Sequence, residues 1–175
     1  MSETKALDDI WESYQTTLDC LQVASREISK GTLHALEKTG FLNTPIDVAK
    51  QKIQTSRDTA DDHVILSLWA VFERSLVAHL QDENRRLLGE PTTKITRNIH
   101  QKIDEELEYW RTEDVLNIFK AAINPDLIGQ AKQVKKYRDW VAHKNPKKLP
   151  PSNIPPEAAY KLLCAISMEL GKTGP

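Results

Sequence analysis

The chain has 175 residues, and its 24 Lys and Arg residues nearly balance 25 Asp and Glu residues, giving a formal charge of −1 at neutral pH. A chain of this length is typical of one domain with its own hydrophobic core. A net charge near zero argues against a polybasic protein that coats nucleic acid indiscriminately.

The N-terminal residues and the cysteines predict a cytoplasmic protein with no membrane partner. The polar start of the chain leads into no signal-type apolar run, and the most apolar stretch, residues 64–72, is far too short to span a bilayer. Cys20 and Cys164 lie far apart in apolar helical patterns, which predicts two reduced core thiols and no disulfide.

The first part of the chain predicts one long helix and a connection. Apolar residues recur at helical spacing from about Lys5 to Lys30, and Gly31 ends this helix. Gly40 and Pro45 mark residues 31–56 as a connection with at most one short helix.

A second long helix is predicted from about Arg57 to Leu88, with Ser56 or Asp58 as its N-cap. Gly89-Glu90-Pro91 ends it. One face carries a strongly apolar stripe: Ile65, Leu68, Trp69, Phe72, Leu76 and Leu80.

The second half predicts three more helices. The third runs from about Asn98 to Ile123 and has an acidic outer face. The fourth starts at Asn124-Pro125-Asp126, since proline suits a first helical position, and ends near His143 or Lys144 before Pro146. A Pro-rich loop leads to the last helix, Glu157 to Leu170.

No segment has a convincing strand period, so we predict an all-α, up-and-down bundle of about five helices. It forms a single domain over residues 1–175. Residues 1–56 supply the N-terminal helix and connection, and residues 57–170 supply a motif-bearing core.

The most basic stretch of the chain lies late in the sequence. Residues 132–148 contain seven basic residues and one acid, Asp139, although the whole chain carries −1. A phosphate backbone responds to such a local field, so we predict that the lysines contact RNA. The basic residues are Lys132, Lys135, Lys136, Arg138, Lys144, Lys147 and Lys148.

Tyr137 and Trp140 are interleaved with these cations. Their rings could stack on unpaired bases, or they could be core residues beside a solvated lysine face. Both interpretations stay open at this point.

Arg138 and His143 carry the chemistry that cleavage of RNA without a metal requires. Arginine clamps a phosphate with two parallel donors, and histidine transfers protons near neutral pH. On a regular helix the two side chains diverge by about 140°. Either the helix loosens before His143 or a second copy of the chain completes the site. The plain alternative is that Arg138 pairs with a carboxylate and His143 only caps the helix.

The segment Arg138-Asp139-Trp140-Val141-Ala142-His143 resembles the signature of the HEPN superfamily. That signature is an arginine, a polar residue, and a histidine a few positions later, at the end of a late helix of an all-α bundle. Residues 68–76 also resemble the mid-domain HEPN helix, in which an aromatic residue and a glutamate recur. The resemblance covers roughly residues 57–170.

This resemblance implies a metal-independent endoribonuclease that acts as a homodimer, with no cofactor, in defence, stress response or a toxin system. Arg138 would bind the scissile phosphate and His143 would act as general base or acid. Asp139 would orient one of them. The products would be a 2′,3′-cyclic phosphate and a 5′-hydroxyl.

Other partners and functions stay open. An antitoxin or another regulatory protein is a further partner, although Asn145 stands where HEPN toxins silenced by a nucleotidyltransferase commonly have a tyrosine.

Glu73 could pair with Arg138, accept a hydrogen bond from His143, or form only a surface ion pair. The alternative functions are a non-catalytic HEPN-like module that binds RNA or a nucleotide, and a helical protein-interaction dimer. The histidines and cysteines show no metal-type spacing, so no metal is expected.

Overall fold

The computed structural model describes residues 3–89, 93–143 and 149–173, and the regular secondary structure of these residues is entirely helical. The prediction of an all-α fold is therefore confirmed. The described residues form seven helices: α1 (Glu3–Lys30), α2 (Leu33–Leu36), α3 (Ile46–Leu88), α4 (Lys94–Leu107), α5 (Thr112–Phe119), α6 (Pro125–His143) and α7 (Pro156–Thr173).

Helix α3 lies at the centre and packs against α1, α4, α5, α6 and α7. Its predicted apolar stripe forms the middle of the core, where Leu68, Phe72 and Leu76 are fully buried. Burial of each such side chain stabilises the fold by about 1.5–3 kcal/mol. The same core takes in Leu116 of α5, Ile128 of α6 and Leu163 of α7.

Among the described residues one helix, Ile46–Leu87, is long and apolar enough to cross a membrane by length and composition alone. Core helices of water-soluble proteins meet the same criterion. Since this helix supplies the largest buried side chains of the core, the criterion is weak evidence for a membrane span.

Helix α3 begins at Ile46, directly after Pro45, so the predicted start at Arg57 and the predicted caps Ser56 and Asp58 are wrong. The extra turns are held by a second, smaller apolar cluster. Ala49 and Ile53 of α3 are buried there against Ile28 of α1. These contacts between α1 and α3 stabilise a helical start that the sparse apolar residues of the segment did not predict.

The predicted third helix is two helices, α4 and α5, separated by a turn at residues 108–111. The backbone N–H groups of Tyr109 and Trp110 donate to the carbonyls of Glu106 and Leu107, which closes the turn. Helix α4 packs on α3, whereas α5 packs on both α3 and α6. A single straight helix would not reach both surfaces.

Helix α6 begins at Pro125 and ends at His143, as predicted. The side-chain Oδ1 of Asn124 accepts from the backbone N–H of Asp126 at 2.9 Å and caps the first turn. The last helix is slightly longer than predicted, at Pro156–Thr173.

One prediction about the thiols is confirmed and one is wrong. Cys164 is buried in the core, whereas Cys20 is exposed on α1. The face of α1 that packs against other helices is formed by residues such as Leu7 and Ile28, and Cys20 points away from it.

Candidate functional site

Arg138 lies between two carboxylates at the junction of α3 and α6. Its Nη2 is 3.0 Å from Oε2 of Glu73, and its Nη1 is 2.9 Å from Oδ1 of Asp139. The side chain is 23% exposed, and its buried Nε has no hydrogen-bond partner. The guanidinium is thus held by charge-assisted hydrogen bonds within the chain, and most of the side chain is shielded from solvent.

The indole of Trp69 lies beneath this guanidinium. The Cζ of Arg138 is 5.5 Å from the ring centroid, a cation–π distance. Trp69 and Glu73 are four residues apart and therefore share one face of α3. The same face thus supplies both a π surface and an anion to one arginine.

Glu73 and Asp139 each have a second partner. The hydroxyl of Thr112, the first residue of α5, donates to Oε1 of Glu73. Lys135 donates to Oδ2 of Asp139 at 2.7 Å. Glu73 and Asp139 therefore hold Arg138 within a polar network that joins α3, α5 and α6.

His143 is the last residue of α6, and its side chain is exposed. The helix continues without a break from Arg138 to His143, so it does not loosen between them. On this helix the two side chains diverge by about 140°. Within one chain they do not converge on a single phosphate.

The basic segment is only partly free for an RNA partner. Lys132 donates to the amide oxygen of Asn117 at 2.7 Å, and Lys135 is paired with Asp139. Lys136 is exposed. The remaining predicted contacts, Lys144, Lys147 and Lys148, lie outside the described residues, as does Asn145.

The two aromatic residues of this segment are half-buried and in contact with each other, their ring centroids 5.9 Å apart. The Tyr137 hydroxyl donates to Oδ1 of Asp62 at 3.0 Å, and its ring packs on the main core. Tyr137 therefore fastens α6 to α3. This contact favours the core interpretation for that residue.

The Tyr137–Asp62 contact predicts a specific loss of stability at alkaline pH. Burial, the hydrogen bond to Asp62 and the nearby carboxylates raise the pKa of Tyr137 to about 12. The folded state keeps this proton at a pH where the unfolded chain has lost it. The stabilisation is therefore complete below about pH 10 and disappears as the pH rises through about 12.

Urea unfolding of the wild type and of Tyr137→Phe, compared near pH 9 and near pH 11, measures this effect. The wild type is expected to lose more unfolding free energy over the interval than the variant. Tyr109→Phe, at an exposed tyrosine, is the matched control. An equal loss in the wild type and in Tyr137→Phe would contradict the prediction.

Two members of the network were not predicted from the sequence. Trp69 was expected only in the apolar stripe, and no role was predicted for Thr112. The four-residue spacing of Trp69 and Glu73 indicates a shared face, but nothing in the sequence indicates that α5 begins at Thr112. In the part of the chain that the structure describes, no three His, Cys, Asp or Glu residues are grouped as metal ligands.

Comparisons of the chain with protein-family models, with curated proteins and with solved structures found no significant match.

Proposed function

We propose that this protein is a metal-independent endoribonuclease of HEPN type, in which Arg138 and His143 from two protomers form one composite site. The proposal includes an up-and-down bundle and a symmetric dimer that brings the α6 helices together. RNA is the substrate, and the setting is cytoplasmic defence, stress response or a toxin system.

The observation that carries the proposal is the contact between the two segments that resemble HEPN domains. Glu73 and Arg138 are 65 residues apart in the chain, yet their charged groups are 3.0 Å apart. Trp69, the aromatic residue of the same mid-domain segment, lies under the same guanidinium. The plain alternative also predicts a carboxylate partner for Arg138, so the support lies in which segment supplies that partner, and the cleavage experiment below decides between the two.

Each residue has a role that follows from its position. Arg138 binds the scissile phosphate with the N–H groups that Glu73 and Asp139 do not occupy, and it stabilises the charge that develops on the phosphate. His143, exposed at the helix end, takes the proton from the ribose 2′-hydroxyl or gives one to the 5′-oxygen. The 2′-oxygen forms a bond to phosphorus as the bond to the 5′-oxygen breaks, which leaves a 2′,3′-cyclic phosphate and a 5′-hydroxyl.

Glu73 and Asp139 are positioning residues. They fix the guanidinium on the Trp69 ring and reduce the number of rotamers that it samples before RNA binds. Lys136, and the lysines at 144, 147 and 148, contribute contacts to the phosphate backbone.

Cleavage in chelator tests the proposal. The purified protein is incubated with single-stranded RNA in excess EDTA, and the ends are identified by mass spectrometry. We expect cleavage to persist and to produce cyclic phosphate and 5′-hydroxyl ends. Products with 5′-phosphates, or a strict monomer by sedimentation at micromolar concentration, would overturn it.

A second candidate is a non-catalytic module that binds RNA or a nucleotide. It is favoured by the engagement of the Arg138 guanidinium with two carboxylates of its own chain. A phosphate must then compete with Glu73 or Asp139 for the arginine. RNA binding without cleavage, lost only when several lysines are neutralised, would identify this function instead.

A further inference from the structure

A second polar site lies on the other side of α3 from the core, in a cleft between α3 and α4. The cleft has a volume of about 860 Å³. Its basic end is lined by Arg85, Arg86, Arg97 and His100, and its acidic end by Asp104, Glu105 and Glu108.

The acidic end is already occupied by side chains of the chain itself. Asp104 accepts from the amide of Asn84 at 3.0 Å, and Glu105 accepts from Gln101 at 2.9 Å. Glu108 accepts from Arg74 at 2.6 Å. These carboxylates therefore do not need a cationic ligand.

At the basic end, Arg85 and Arg86 are already in exposed ion pairs, with Asp82 at 2.5 Å and with Glu83 at 2.7 Å. Exposed pairs of this kind are weak, so a phosphate can compete for these guanidinium groups.

Arg97 is exposed and has no ion-pair partner among the described residues. The Nε2 of His100 is buried and has no hydrogen-bond partner there. A buried polar atom without a partner is costly, and a rotation of the imidazole that let a ligand oxygen in the cleft accept a hydrogen bond from it would remove that cost.

The cleft adjoins the Arg138 site through Glu108, not along one face of α3. A four-residue step drifts by about 40° around the helix, so Glu73 and Arg85 are about 120° apart. Glu108 lines the cleft and also a small cavity of about 70 Å³ that Glu73 and Thr112 line. Arg85 follows Glu73 by three turns or more, roughly 18 Å along the axis. A strand bound at Arg138 must therefore extend by several nucleotides to reach the cleft.

We propose that Arg85, Arg97 and His100 form a phosphate subsite that holds the RNA backbone away from the site of cleavage. Guanidinium groups from two helices clamp the phosphate, and His100 donates from Nε2 to one of its oxygens. The subsite rests on the proposed function in that it takes the same RNA. It raises the affinity for RNA and fixes which nucleotide lies at Arg138. It takes no part in bond cleavage.

Binding of a fluorescein-labelled oligouridylate, measured by anisotropy over a range of salt concentrations, tests the subsite. The measurements use the His143→Ala background, so that the RNA stays intact. Arg97→Gln removes one contact from an exposed position, and Arg26→Gln on α1 is the matched control with the same change of charge. We expect Arg97→Gln to weaken binding roughly 10-fold at low salt and to reduce the slope of log affinity against log salt by about one.

His100→Asn is expected to weaken binding in the same direction. Equal affinity and equal slope for Arg97→Gln and Arg26→Gln would overturn the subsite. Titration with inorganic phosphate at constant ionic strength shows whether the cleft binds a phosphate group of RNA or a free phosphate ion. Arg97-dependent binding of inorganic phosphate, with RNA affinity unaffected by Arg97→Gln, would also overturn it, because the cleft would then bind a free anion.

Failure of the subsite and failure of the proposed function are distinguishable. If Arg97→Gln reduces the slope of log affinity against log salt but RNA is never cut in EDTA, the nuclease proposal fails and the subsite stands. If RNA is cut and Arg97→Gln behaves as Arg26→Gln, only the subsite fails.

Discussion

Mixing Arg138→Ala and His143→Ala protomers is expected to restore ribonuclease activity that neither variant has alone. Loss of Arg138 removes the phosphate clamp, and loss of His143 removes proton transfer; each is expected to lower cleavage by roughly 10²–10³-fold. In a mixed dimer the Arg138→Ala chain still supplies His143, and its partner still supplies Arg138. Random exchange makes roughly half of the dimers mixed.

The measurement is the initial rate of cleavage of labelled RNA in EDTA, before and after the two variants are mixed and allowed to exchange. His63→Ala and Arg26→Ala, at exposed positions far along the sequence from α6, are the matched controls and should keep wild-type activity. If the wild type cuts and the mixture stays inactive, the composite site is wrong. Because Arg138→Ala leaves Glu73 without its ion-pair partner, Arg138→Lys provides a second variant, which keeps the charge but loses the two-pronged set of N–H donors.

The largest stability effect is expected at Trp69. Its side chain is 1% exposed, and its ring centroid is 5.5 Å from that of Phe72. Truncation in Trp69→Ala creates a cavity that costs about 3–5 kcal/mol. It also removes the π surface under Arg138, which adds up to about 2 kcal/mol. The sum is a large part of the 5–15 kcal/mol that holds a typical domain folded.

Urea unfolding followed by far-UV circular dichroism measures this loss without depending on tryptophan fluorescence. Trp110→Ala is the matched control, because Trp110 is 46% exposed and leaves a smaller cavity. We expect Trp69→Phe to be milder than Trp69→Ala, since it keeps a ring beneath Arg138. It also removes a buried indole N–H that has no hydrogen-bond partner. Similar losses in Trp69→Ala and Trp110→Ala would contradict the assignment of Trp69 to the core.

The start of α6 was predicted correctly because local residue types decide it. Pro125 and Asn124 placed the start of α6 correctly, because proline fixes the first helical dihedral angle and the Asn side chain caps the turn. The turn at residues 108–111 has no glycine or proline, so local propensity favoured one continuous helix there. Packing of Leu116 and Phe119 into the core overrides that propensity.

The candidate site was also only partly predictable. The charges and spacing of Arg138 and His143 are properties of the sequence, and so is their divergence on a regular helix. Pairing of Glu73 with Arg138 was one of three open alternatives, because ion pairs between distant segments depend on which helix faces pack together.

The sequence by itself determined that the chain is helical, that residues 65–80 form a buried stripe, and that an arginine and a histidine lie on one late helix. These properties follow from periodicity and local propensity, which act over a few residues. Only the tertiary structure decided that Arg138 rests on Trp69 between Glu73 and Asp139, and that α3 and α4 enclose a cleft with a basic end. Such contacts join residues far apart in the chain, and the burial of the core sets them.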